Sequence, residues 1–228
     1  MKNLIQVAGI IDQDEASMLI ACGVKHLGFP LRLHDGREDL SEEEAKKIIH
    51  SLQPSVYGVV ITYLNDAEEI AKFCREMGTT WVQLHGSITV SEIEKLTQLA
   101  PDLFILKSLI VRKGNLAELK SVSAELSPYV DAFLTDTFDP STGRSGATGK
   151  LHDWRISQQL VDISPKPVIL AGGLTSDNVR EAILQVKPAG VDSHTGVEGL
   201  DGRKNPRLMR QFVAEAREGF RLMSSDAR

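Results

Sequence analysis

The feature that most constrains this chain is a pattern repeated eight times without a repeated sequence. A short apolar or β-branched run is followed by an amphipathic stretch, and no linker or low-complexity segment interrupts the series. The runs fall at 4–8 ("LIQVA"), 25–29, 55–62, 79–85, 103–109, 131–137, 167–173 and 190–196. Helical patterns follow them at 12–23, 41–52, 66–78, 89–100, 115–127, 153–162, 175–186 and about 206–223. Local signals agree with that reading. Asp12 with Glu15, and Ser41 with Glu44, have the spacing of helix N-caps, and Gly23 reads as a stop. Several runs are apolar almost throughout, as strands are when both faces of a parallel sheet are covered. Eight such units in 228 residues predict a single (β/α)8 TIM barrel spanning 1–228. A doubly wound open sheet is the alternative. A dinucleotide-binding version of it would carry G-x-G-x-x-G after the first strand, where this chain has "AGIIDQ".

Composition narrows the function classes. A net charge of -5 with no Lys/Arg-rich run argues against nucleic acid as a partner. No apolar run reaches the length of a membrane span, and the start "MKNLIQVAGI" lacks the shape of a signal peptide, so a cytoplasmic protein with no membrane partner is expected. The two cysteines, Cys22 and Cys74, lie in helical patterns and read as small buried apolar residues, with no metal site.

In a barrel of this kind chemistry gathers at the C-terminal ends of the strands. The residues there are Ala8, Phe29, Thr62, Gln83 with His85, Lys107, Asp136, Gly172 with Gly173, and the stretch from Asp192 to Gly196. "LAGGLTSDNV" puts two glycines at a strand end, with Thr175 opening a helix, and "DSHTGVEG" adds a second glycine turn. Glycines admit close backbone approach and helix-start amides attract anions, so the pair predicts a phosphate site. "STGRSGATGKLHDW" fails the P-loop spacing and reads instead as a flap, with the Thr148 hydroxyl a donor. Gln83 and His85 share one side of their strand. Asp136 ends the apolar run "AFLTD", where an unpaired carboxylate is costly unless it is used. Asp192 stands similarly, and Lys107 is a possible partner for either aspartate.

Together "VQLHG", "LTDT", "GATGKLHDW", "LAGGLTSDNV" and "GVDSHTGVE" resemble, in order and spacing over nearly the whole chain, the phosphoribosylanthranilate isomerase family of tryptophan biosynthesis. The resemblance implies a cofactor-free Amadori rearrangement of a small phosphorylated sugar substrate by a monomer or homodimer. It implies that Asp136 is the general acid that opens the sugar ring. Gly172, Gly173, Thr195 and Gly196 correspond to the phosphate loops and Gly149 to the flap, while Gln83 and Asp192 are read from their strand-end positions as substrate contacts.

The chain departs from that pattern where the base should be. The family's first strand ends in Cys-Gly, and the cysteine takes the proton from the adjacent sugar carbon. Here the strand ends in Ala8-Gly9, and Gln6 stands in place of a lysine. The arginine that holds the anthranilate carboxylate is out of register, with Arg37 and Arg32 as displaced candidates. The loop after Asp136 is about three residues longer, and the turn "SHTG" brings in His194. Three alternatives stay open: an engineered knockout, an isomerase using another base (His85, His194 or a carboxylate), or a barrel turned to another phosphosugar, as enzyme or as binding protein. A titratable group beside Ala8, from among His85, His194 and Asp12, is the feature that favours acid–base catalysis.

Overall fold

In the computed structural model residues 2–33, 38–139, 144–145 and 153–225 are described, with backbone alone for 138, 139, 144 and 145. Strand and helix alternate from the start: β1 (Leu4–Ala8), α1 (Gln13–Ala21), β2 (His26–Pro30), α2 (Glu42–Ser51), β3 (Tyr57–Thr62), α3 (Ala67–Met77), β4 (Trp81–Leu84), α4 (Val90–Leu99), β5 (Phe104–Val111), α5 (Leu116–Leu126) and β6 (Ala132–Asp139). A two-residue strand, β7 (Arg144–Ser145), pairs antiparallel with the end of β6. Then come α6 (Trp154–Ile163), β8 (Val168–Leu170), α7 (Val179–Val186), β9 (Gly190–Ser193), a 3₁₀ turn (Thr195–Val197) and α8 (Pro206–Ser225). The parallel strands run in the order β5-β4-β3-β2-β1-β9-β8-β6, and β5 also pairs with β6, which closes the ring into a (β/α)8 barrel.

The alternation of side chains along each strand divides the core in two. Ile5, Val7, Leu27, Phe29, Val60 and Val191 point outward and pack with the helices. Leu4, Leu106, Ala132, Leu134, Ile169 and Ala171 point inward and plug the barrel. Below that plug Trp81 and Phe104 stack with ring centroids 3.8 Å apart. By the same alternation Gln6 and Ala8, Gln83 and His85, Ser108, Asp136 and Asp192 fall on the inner face, above the plug. The polar layer is therefore positioned by the period of the strand and by the register that closes the ring, with Gln6 opposite Asp192 and Ala8 opposite Gly28.

Helix starts follow the local signals. Asp12 accepts from the Glu15 amide at 2.8 Å, and Ser41 with Glu44 forms a full capping box. Ser41→Ala is expected to lower stability by about 1 kcal/mol, read from urea unfolding. An unchanged midpoint would mean that the exposed box contributes nothing. The seventh helix begins later than the sequence predicts, at Val179 rather than at Thr175. The Asn178 side chain accepts from the Thr175 amide at 2.8 Å and donates to the Gly173 carbonyl at 3.1 Å, so the preceding residues form a braced turn. The expected run 190–196 likewise ends at Ser193 and continues as the 3₁₀ turn.

Candidate active site

At the C-terminal mouth two carboxylates face a chain of amides. Asp136, 8% exposed, ends the inward row of β6, and its Oδ1 accepts the Thr137 amide at 2.7 Å. Burial pushes its carboxyl up to about 7. Asp192, 7% exposed, lies on the inner face of β9. It too is pushed to about 7, first by burial and second by the Asp136 carboxylate. Its Oδ1 is buried without a hydrogen-bond partner among the described residues. From the β1 side, the Gln6 amide donates to Gln83 Oε1 at 2.8 Å, and Gln83 Nε2 donates to Ser108 Oγ at 3.2 Å. Ser108 Oγ lies 3.1 Å from His85 Nδ1. Gln83 and His85 thus share one network, and His85 also rests against the Tyr63 ring at 4.9 Å between centroids.

Ala8 is buried among Val59 and Ile61, with its Cβ against Gly28. The imidazole of His194 covers the next residue. A Cβ built on Gly9, whose φ is +77°, would sit 2.0 Å from His194 Nε2. That nitrogen lies 3.7 Å from Glu198 Oε1 and 3.9 Å from Asp39 Oδ2. Burial, and then the nearby Lys204 ammonium, push the ring down to about 3, so it is neutral at physiological pH. Lys204 itself bonds Glu198 at 2.6 Å. Asp12 is not beside Ala8 as a free base: it caps α1 and pairs with Arg203 Nη2 at 2.7 Å.

Two other sequence readings change. Lys107 pairs with neither aspartate. It shares the outward face of β5 with Ile105 and Leu109, and its Nζ donates to the carbonyls of Leu84, Gly86 and Ser108 at 3.1, 2.9 and 2.9 Å. Alternation along the strand gives the reason, since the residue that faces the mouth is its neighbour Ser108. Arg32 does not reach toward the mouth either. It holds Glu42 through Nε at 2.8 Å, approaches Glu69 at 3.4 Å and lies 3.8 Å over the Phe73 ring. Arg37, Thr148 and Gly149 lie outside the described residues.

The two glycine loops stand side by side. Gly172 and Gly173 have φ of +92° and +68°. Ser193 Oγ donates to the Leu174 carbonyl at 2.8 Å, and a Cβ on Gly196 would sit 1.9 Å from that same oxygen. Glycine is needed at 196 because the β8 and β9 loops touch through their backbones. Thr195 and Gly196 form the first two positions of the 3₁₀ turn. The Thr175 amide, by contrast, is already taken by Asn178, which corrects the reading of a free helix-start amide there. The residue that sequence reasoning missed is Asn178, whose signal was the Asx position three residues after Thr175. A cleft lined by Gln53, Tyr57, Gly78 and Trp81 sits at the opposite end of the barrel, at the starts of β3 and β4. Among the described residues no cluster of His, Cys, Asp and Glu has the geometry of a metal site, and no helix is long and apolar enough to cross a membrane.

Fold and mouth together describe a (β/α)8 barrel with two carboxylates, two amides and an imidazole on its inner face. The chain matches the family model described as N-(5'-phosphoribosyl)anthranilate (PRA) isomerase over residues 6–215. It is 37% identical over 218 residues to N-(5'-phosphoribosyl)anthranilate isomerase 2 of Methanosarcina mazei, covering 95% of each chain. To the N-(5'-phosphoribosyl)anthranilate isomerase of Haloferax volcanii it is 33% identical, covering 93% of this chain and 92% of the other. Among solved structures, the isomerase from Pyrococcus furiosus superposes with a TM-score of 0.78 at 26% identity, covering 95% of this chain and 99% of that one. The chain belongs to the N-(5'-phosphoribosyl)anthranilate isomerase family.

Proposed function

We propose that this protein converts N-(5'-phosphoribosyl)anthranilate to the corresponding 1-amino-1-deoxyribulose phosphate, an aldose–ketose isomerisation in tryptophan biosynthesis. The observation that carries the reading is Asp136, a buried carboxyl at the C-terminal end of β6 whose burial holds it near 7. A carboxyl that keeps its proton at neutral pH suits a general acid. It protonates the furanose oxygen, and the C1–O bond opens as the anthranilate nitrogen supplies its lone pair. The iminium that results acidifies the neighbouring C2–H. Loss of that proton gives an enolamine, and protonation at C1 with loss of the C2 hydroxyl proton gives the ketose.

The phosphate of the substrate is assigned to the paired loops. Gly172, Gly173, Thr195 and Gly196 bring backbone close to an anion there, as barrels commonly do after their last two strands. Gly196→Ala tests the loops. The added methyl meets a carbonyl that cannot yield, so overpacking costs about 1–3 kcal/mol. If that strain spreads the loops, phosphate binding weakens. KM for the phosphorylated substrate then rises about tenfold for each 1.4 kcal/mol of weakening, with kcat less affected. An unchanged KM would remove the phosphate from this place.

The function is tested by following the fluorescence of freshly generated N-(5'-phosphoribosyl)anthranilate with purified protein. Turnover that depends on Asp136 supports the isomerase. Stable fluorescence in the presence of the protein turns the reading to a barrel that binds or converts another phosphosugar. Size-exclusion chromatography with light scattering assigns the protein as a monomer or a homodimer.

A further inference from the structure

The isomerisation needs a base, and the residue that ends β1 has only a methyl group. Resting on the function above, we propose that Asp192 is the catalytic base, paired with Asp136 so that one carboxyl gives a proton while the other takes one. Three observations lead there. First, Asp192 is on the inner face directly opposite Gln6, on the strand whose next inward residue is Ala8. Second, its Oδ1 is buried and unpartnered among the described residues, an acceptor held away from water with nothing to accept from. Third, Gln6 lies within hydrogen-bonding reach of Asp192, with its Nε2 engaged by Gln83 and its own Oε1 also buried and unpartnered. The Gln6 contact favours the ionised form of Asp192, the form a base needs, and leaves Oδ1 free to accept. The neutral amide matters, because a cation at that position would hold Asp192 ionised and weaken it as a base.

The step balances. Asp192, ionised, takes the C2 proton of the iminium. The C–H electron pair becomes the C1–C2 double bond, and the iminium π pair returns to nitrogen. Asp136, ionised after opening the ring, is reprotonated from solvent. The proton on Asp192 goes to C1, the enol O–H pair becomes the carbonyl π bond and its proton leaves to solvent, and the pair is restored with one proton between them. The groups that set the charge of Asp192 are Asp136, which disfavours its ionisation, and Gln6 and Lys204, which favour it.

His194 is the rival because it lies over Gly9. Its Nε2, however, is turned to Asp39 and Glu198. Lys204 disfavours a proton on the ring, whereas Asp192 is on the inner face with Asp136.

The test compares the unmodified protein, Asp192→Asn, Asp192→Asn with Ala8→Cys, and Asp136→Asn, using substrate with hydrogen or deuterium at C2. Loss of the base is expected to lower turnover about 10²–10⁴-fold in Asp192→Asn. The deuterium isotope effect should grow there, because proton removal becomes the slow step, and should shrink in Asp136→Asn, where ring opening limits. Adding Ala8→Cys should restore turnover at least about tenfold by supplying a thiolate base at the adjacent position. Turnover within about threefold of the parent in Asp192→Asn, less than one general-base contribution, overturns the proposal. So does a lost activity that the thiol does not restore, or an isotope effect that stays the same, since each marks Asp192 as structural. A parent that leaves this substrate untouched removes the function itself, and the base with it.

Discussion

Asp136→Asn is expected to lose activity and gain stability in the same molecule. Without the acid, ring opening depends on water, and turnover should fall by about 10²–10⁴. Stability should move the other way because the folded protein holds this carboxyl near 7, well above its unfolded value. A group raised in the folded state contributes its full stability below the unfolded value, about 4, and loses that contribution as pH rises through about 7. At pH 8 the parent carries a buried carboxylate beside Asp192, at a cost of up to about 4 kcal/mol for a three-unit displacement. Asparagine keeps the shape and removes the charge. For a chain of this size each kcal/mol moves Tm by about 2–4 °C, so a rise of up to roughly 8–16 °C is expected at pH 8. The gain should vanish near pH 4. Thermal unfolding at the two pH values decides it, and equal melting at pH 8 would mean the carboxylate is solvated well enough to cost nothing. The same pair predicts a bell-shaped pH dependence of kcat/KM with its maximum near neutrality, because one carboxyl must hold a proton and the other must lack one.

Lys107→Met should be among the most damaging substitutions outside the mouth. The ammonium is buried with three carbonyl acceptors and no anion, and burial pulls it down to about 8. Methionine fills the volume of the stem but removes the donor from the carbonyls of Leu84, Gly86 and Ser108. Each buried unsatisfied acceptor costs about 1–3 kcal/mol, offset in part by relief of the ammonium's desolvation, so a net loss of about 2–4 kcal/mol is expected. Because the folded value lies below the unfolded one, the parent's stability should rise with pH between about 8 and 10.4, and the variant should lack that slope. Two of the carbonyls flank His85 and the third belongs to Ser108, so turnover should fall along with stability. Urea unfolding at pH 7 and pH 10 measures the first effect. A variant as stable as the parent would show that the strand ends find other donors.

The two predictions differ in how far they are visible in the chain alone. Asp136 is legible there because a carboxylate at the end of an apolar run is expensive wherever the run goes. Lys107 is legible only as an end-of-strand residue. Its partners are misassigned from sequence because one position of register separates the mouth from the outer layer, and the pairing of β4 with β5 settles which is which. Arg32 fails for a related reason. Its partners, Glu42 and Glu69, lie on two different helices, and no local pattern brings them together. Asp12 is readable both as a cap and as a candidate base. The cap geometry and Arg203, 191 positions away, decide for the first.

By itself the sequence determined the class of fold, the boundaries of most elements and the family, because strand period, helix period and capping chemistry are local properties written within a few residues of one another. It also determined that Ala8 cannot transfer a proton. What only the tertiary structure decided was which inward residues meet. Closing the ring through β1 with β9 and β5 with β6 sets Asp192 against Gln6, turns His194 onto Gly9 and buries two carboxylates in one mouth where the Asp136 carboxylate raises the hold of Asp192 on its proton. Those couplings act between strands far apart in the chain and arise from burial, which no single segment possesses before the barrel closes.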